Sequence, residues 1–148
     1  MIKSAQSYHI KDIVRIAQNY FNLSPYVRTQ QYDADKFLHN IRKRIISPTS
    51  EVAVAEWDNK TVGFTLSYLG EFTWAQATCV KMELIYVESD YRQYGLTQGL
   101  LDHNIAWARS MNATEFLAGD IGINTEVITR FYQMQGFEDP GVIVRRVL

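Results

Sequence analysis

The chain is 148 residues long, which suits one domain able to bury a core, so we expect a single domain over residues 1–148. Its formal net charge of -1 gives no footprint of a nucleic-acid or membrane-surface binder. One cysteine excludes an intrachain disulfide, and the absence of a leader-like apolar segment or a run near the ~20 residues of a membrane span leads us to expect a cytoplasmic protein with no membrane partner.

A short strand is expected at residues 2–4. From Ser7, the candidate N-cap, Ile10, Ile13, Val14, Ala17 and Phe21 recur at helical spacing and predict an amphipathic helix. Residues 22–32 contain Pro25 and read as a loop. Asp33 opens a second helix with Phe37, Leu38, Ile41 and Ile45 on one face and the basic run Arg42, Lys43, Arg44 solvated; it stops before Pro48. The period then shortens to that of strands. Residues 51–57 and 61–72 alternate, joined at Asp58, Asn59 and Lys60, a tight-turn composition. Residues 78–87 form a third long strand, with Val80, Met82, Leu84 and Tyr86 on one face and Cys79, Lys81, Glu83, Ile85 and Val87 on the other. Residues 96–111 are helical, 115–118 make a short strand, 124–135 a last helix, and 142–148 a closing strand. The order β-α-α-β-β-β-α-β-α-β describes an α+β, or mixed α/β, domain on one central sheet.

Residues 87–101 carry the most information. A long strand runs into a glycine-bearing turn that opens a helix. Such a junction presents free backbone N–H groups at the positive end of a helix dipole, a site suited to a pyrophosphate. Gly95 lets the backbone approach a ligand closely, and Arg92 or Gln93 can add side-chain contacts. There is no P-loop pattern and no Gly-x-Gly-x-x-Gly fingerprint.

In this setting the run Arg92-Gln93-Tyr94-Gly95-Leu96-Thr97 resembles the acetyl-CoA signature of the GNAT superfamily, Arg/Gln-x-x-Gly-x-Gly/Ala. Thr97 stands where Gly or Ala is usual; it is small, and its hydroxyl can bond a phosphate. A second run, Tyr132-Gln133-Met134-Gln135-Gly136-Phe137, is similar to the family's Tyr-x-x-x-Gly-Phe, in which Gly136 suits a left-handed helix end. The two markers stand in the family's order, with matching elements along nearly the whole chain. The resemblance implies a GNAT-like fold, a central, mostly antiparallel mixed sheet flanked by about four helices.

The resemblance also implies acetyl-CoA as co-substrate, a primary amine of a small molecule or protein as acceptor, and direct attack within a ternary complex. The strand before the turn would splay from its neighbour, freeing backbone groups of Ile85, Tyr86 and Val87 for the pantetheine arm. Arg92, Gln93, Tyr94, Gly95, Leu96 and Thr97 would hold the pyrophosphate. Asn124, one residue before the family's usual Asn position, is the further cofactor candidate, and is also a natural helix N-cap. Glu83 is the candidate base for the amine proton; its alternative is a surface pair with Lys81, whose ammonium would weaken it as a base. Tyr132 is the candidate acid for the departing sulfur, since a phenol holds its proton at neutral pH; its alternative is a core tyrosine bonded to a backbone carbonyl. Cys79 is expected to be a buried strand cysteine. Tyr26, Arg28, Gln30, Gln31 and Tyr32 are candidates for walling the acceptor side. His9, His39 and His103 have no ligand spacing, so no metal is expected. A possible homodimer would form through residues 142–148 as an edge strand. A domain of another class, one that binds acetyl-CoA without catalysing transfer, is the competing reading.

Overall fold

The computed structural model describes residues 1–119, 123–139, 141 and 144–148. A short strand β1 (Ile2–Ser4) is followed by helices α1 (Ile10–Asn22) and α2 (Ala34–Ile46). Three strands come next, β2 (Ser50–Trp57), β3 (Lys60–Phe72) and β4 (Ala75–Val87). Helix α3 (Leu96–Ser110), strand β5 (Glu115–Ala118) and helix α4 (Thr125–Met134) complete the order. The strands make one five-stranded sheet in sequential order, antiparallel from β1 to β4 and parallel between β4 and β5. The expected α+β fold, with a mostly antiparallel mixed sheet, is the one observed.

Local chemistry sets most boundaries. Ser7 is not the cap of α1: it begins a 3-10 turn (Ser7–His9), and the chain there is closed by the Gln6 N–H donating to His9 Nδ1 at 2.8 Å. The residues expected to form a loop at 22–32 contain a second 3-10 turn (Pro25–Arg28). Asp33 caps α2 as its position suggested, Oδ1 accepting from the Lys36 N–H at 2.9 Å. Asp58 and Asn59 both adopt positive φ, 49° and 61°, the conformation a two-residue hairpin turn requires. At the end of α4, Gly136 lies at φ 85°, with its N–H on Gln133 O at 3.1 Å and the Phe137 N–H on Tyr132 O at 3.1 Å. These two bonds define a Schellman ending, and they turn Phe137 back to within 5.2 Å of the Tyr132 ring.

The sheet separates two apolar layers. On one face α1 and α2 pack Ile13, Ile16, Tyr20 and Ile41 against Val52, Val54, Phe64 and Leu66. On the other, α3 and α4 pack Leu100, Leu101 and Tyr132 against Ala53, Ala55, Met82, Ile85 and Val87. Asn104 of α3 is fully buried in that second layer and bridges to β3, accepting from Ser67 Oγ and donating to Thr65 Oγ1, both at 2.7 Å. The helix lies tight on β1, because a Cβ at Gly99 would come within 2.9 Å of Ile2 Cγ1.

Two expectations change. In the β3–β4 ladder Leu66 pairs with Leu84 while its neighbour Ser67 pairs with Met82, so Glu83 is an extra residue in a bulge. Beyond it the faces exchange. Met82 therefore shares a layer with Ile85 and Val87, and Leu84 and Tyr86 pack on the α1–α2 side. Strict alternation, which grouped Glu83 with Ile85 and Val87, fails at that one inserted residue. Of the closing strand expected over 142–148, residues 142 and 143 lie outside the described residues, and 144–148 belong to no strand.

Candidate active site

The donor side starts where β4 stops. After Val87 a 3-10 turn (Ser89–Tyr94) leads to Gly95, which sits in the left-handed region at φ 72° and ψ 11° and serves as the N-cap of α3. No side chain caps this helix; its first bond runs from the Gly99 N–H to Gly95 O at 3.0 Å. The N–H groups of Leu96, Thr97 and Gln98 thus lead the helix, at its positive pole. A Cβ placed on Gly95 would meet no atom within 4 Å, so the turn itself is open on that side.

The expected side-chain ligands of the turn behave differently from one another. Arg92 folds back, Nε donating to Val87 O at 2.9 Å and the guanidinium lying 5.4 Å from the Tyr86 ring centre. Gln93 is exposed. Tyr94 stacks on Trp57 at 4.1 Å and pins the β2–β3 turn against this loop. Leu96 is buried, so only its backbone faces the open side, while Thr97 is half-buried.

Alongside, the β4–β5 ladder ends at Met82 opposite Ala118. From Glu83 to Val87, β4 carries no strand partner on that edge among the described residues. Ile85 and Val87 point their side chains into the α3 layer, and the Val87 carbonyl is held by Arg92 Nε. Tyr86 stacks on Tyr20 at 4.5 Å on the opposite face.

The Tyr132 ring is 7% exposed, and its hydroxyl donates to Gly119 O at 3.2 Å. Gly119 follows Ala118, the last residue paired with β4, so this hydroxyl sits where β5 parts from β4. The geometry contains the backbone-bonded tyrosine considered from sequence, and it places that tyrosine beside the unpaired edge. Asn124 occupies the N-cap of α4 at φ 51° and ψ 46°, yet its side chain makes no capping bond. The Ile128 N–H bonds its carbonyl instead, at 3.1 Å.

On the other face, a pocket of about 490 Å³ opens between α1, α2 and β4. Tyr20, Tyr26, Tyr32 and Phe37 line it with rings, and Glu83 and Leu84 contribute from the strand. Glu83 is exposed there and makes no ion pair or hydrogen bond among the described residues, so the Lys81 pair considered from sequence is not formed. Burial pushes the Tyr32 hydroxyl up to about 12, and it donates to Val14 O at 2.9 Å, which keeps this wall uncharged. Gln30 and Gln31 also line the pocket; Arg28 does not. The bulge thus joins the two sides: it turns the Glu83 carboxylate toward the ring-lined pocket one step from the unpaired backbone of β4.

The acetyltransferase (GNAT) family model matches residues 10–137, most of the chain. The protein belongs to this family. Its fold is similar to that of the apo aminoglycoside antibiotic 6'-N-acetyltransferase AAC(6')-IG from Acinetobacter haemolyticus, with a TM-score of 0.79 and 16% identity over 100% of this chain and 97% of that one. It is similar also to AAC(6')-Iy in complex with the bisubstrate analog CoA-S-monomethyl-acetylneamine (TM-score 0.81, 15% identity, 100% of this chain and 97% of that one). A third likeness is to the ribosomal-protein-alanine N-acetyltransferase from Brucella melitensis biovar Abortus 2308 (TM-score 0.75, 16% identity, 99% of each chain). Sequence comparison with curated proteins finds no match.

In this GNAT chain part of the pocket wall was not named from sequence. Tyr20 was not singled out, although it lies at helical spacing from Ile13 and Ala17, and Phe37 was placed on the apolar face of the second helix. The residues that do reach the pocket from the 22–32 segment could be named in advance, but not which of them turn inward. Among the described residues no cluster of three or more His, Cys, Asp or Glu has metal-site geometry, and no helix is long and apolar enough to cross a membrane. Cys79 is fully buried, as expected.

Proposed function

We propose that this GNAT protein is an N-acetyltransferase that moves an acetyl group from acetyl-CoA to a primary amine by direct attack in a ternary complex. The observation that carries the reading is the uncapped N-terminus of α3 behind Gly95, set beside a strand edge that has lost its partner. These features fit the co-substrate: an open, positive helix end for a pyrophosphate, and extended backbone for an amide-bearing arm. Bound acetyl-CoA supplies the acetyl group as a thioester.

The chain's own residues then divide the work. The leading amides of α3, from Leu96 and Thr97, bind the pyrophosphate, with Gln93 and the Thr97 hydroxyl in reach of the same turn. Tyr94 and Gly95 shape that turn. Arg92 holds Val87 and Tyr86 in place, and can reach an anion by giving up its bond to Val87 O. Backbone groups of Ile85, Tyr86 and Val87 orient the arm, and a strand N–H faces the acyl oxygen where negative charge develops. Asn124, free of capping duty, adds an amide on the α4 side. Glu83 accepts the proton of the amine that enters the ring-lined pocket. Tyr132 supplies a proton to the departing sulfur from the point where β5 leaves β4.

Calorimetry with acetyl-CoA, followed by thiol release on a panel of primary amines, tests this reading. Stoichiometric binding with thiol release is expected. Protein that binds no acetyl-CoA would end the proposal, and binding without transfer to any amine would leave only the non-catalytic domain considered from sequence.

A further inference from the structure

The pocket on the α1–α2 face has a composition that selects among amines. Its walls are aromatic: Tyr20, Tyr26, Tyr32 and Phe37. Its volume of about 490 Å³ lies in the range of sites for single small molecules. Charge within it is sparse and nearly balanced. Of its two carboxylates, Asp33 is committed to the Lys36 N–H as the cap of α2, and Glu83 alone is unengaged. Lys36 also lines the pocket, exposed and without an ion pair among the described residues. Beyond Tyr26 a second cation is fixed in place: the Arg145 guanidinium lies 4.5 Å from the Tyr26 ring centre, and its Nη2 donates to Thr29 Oγ1 at 2.8 Å. Lys36 and Arg145 together balance the two carboxylates in formal charge, and Glu83 is the one without a hydrogen bond or ion pair among the described residues.

Resting on the N-acetyltransferase reading, we propose that the acceptor is a small primary amine bearing one positive charge on an aromatic or flat apolar body, and that polycationic amines are excluded. A single ammonium finds its counter-ion in Glu83, and the body replaces water on the rings. A second ammonium on the same molecule would have Asp33 left to meet it, a carboxylate already held by the Lys36 N–H and three residues from the Lys36 ammonium, so further positive charge is disfavoured there. A peptide N-terminus would continue past the rings and need backbone partners beyond them.

The test compares 2-phenylethylamine, spermidine, neamine and an Ala-initiated peptide, by thiol release with acetyl-CoA and by calorimetry on protein saturated with CoA. We expect 2-phenylethylamine to have the highest kcat/KM, about tenfold or more above the polycations. Tyr26→Ala should raise its KM about fivefold with kcat nearly unchanged. Lys36→Glu should improve spermidine about threefold relative to 2-phenylethylamine. Preference for spermidine, neamine or the peptide would overturn the proposal while leaving the transferase reading in place. Tyr26-dependent binding of 2-phenylethylamine without thiol release would do the reverse, ending the transferase reading and keeping the pocket assignment. No binding and no transfer of 2-phenylethylamine would remove the proposal outright.

Discussion

The proposed donor side and the proposed acceptor side of this site are built from different materials. At the end of β4 the functional groups are backbone: the leading amides of α3 and the unpaired edge from Glu83 to Val87. Side chains there mostly work on the protein itself, Arg92 on Val87 and Tyr94 on Trp57. Across the sheet the pocket is made of side chains from α1, the segment after it, α2 and β4, and the carboxylate without a partner among the described residues is delivered by a bulge. A site made of backbone tolerates wide change in sequence provided the glycine and the strand-turn-helix order are kept. A site made of side chains is free to change with the acceptor. The comparison explains why the donor half resembles a large family and the acceptor half has to be read from this molecule.

Substitutions that strike one half should spare the other. The largest effect is expected from Glu83→Gln, which removes the proposed proton acceptor while preserving shape: kcat should fall about 100-fold, with acetyl-CoA affinity unchanged by calorimetry. A loss of acetyl-CoA affinity with turnover intact would show that the division is drawn in the wrong place. Next comes Gly95→Val. A β-branched residue held at φ 72° is strained by roughly 1–2 kcal/mol or more, and the turn must shift to relieve it. The dissociation constant for acetyl-CoA should rise about tenfold, while amine binding to the other face stays the same. Unchanged acetyl-CoA affinity would count against the turn as the pyrophosphate site.

Tyr132→Phe should lower kcat by a smaller factor, about tenfold, with the donor bound as before. If rate and affinity both match the parent protein, the hydroxyl has no part in the transfer. The smallest expected effect lies outside both halves and acts as a control. The hydrogen bond from Lys3, and then that from His9, hold the Glu56 carboxyl below the ordinary carboxylate range. A pKa lower in the folded than in the unfolded chain gives stability that is present above the unfolded value and lost as pH falls through the folded one. Against a Glu56→Gln variant, the parent should melt about 2 °C higher at neutral pH. The gap should close on acidification; a gap constant with pH would mean that the ion pairs contribute nothing. Acetyl-CoA affinity and turnover should not respond.

Residue chemistry in the sequence announced features that are local. Asp33 as a cap, Asp58–Asn59 as a tight turn, Gly136 as a left-handed helix end and the glycine turn after a long strand each depend on a few neighbouring residues. Apolar period then placed the strands and helices from β1 to α4. The end of α1 that Ser7 was expected to cap went instead to Gln6 and His9, because a side chain three residues on could reach the free amide.

The acceptor half was decided by tertiary structure. No residue between Lys81 and Leu84 marks a bulge, since the insertion is defined only against Leu66 and Ser67 of the neighbouring strand. That single offset reverses which side chains face which layer, and sends Glu83 to the pocket formed with α1 and α2. Likewise the Tyr132 hydroxyl found Gly119 and Arg145 found Thr29, across separations of 13 and 116 residues in the chain. The sequence by itself determined the family, the element order from β1 to α4 and the glycine turn before α3, because these follow from local conformation and period. Pairing register and long-range side-chain contacts determined the acceptor pocket, because each depends on the position of a partner that no short stretch of the chain specifies.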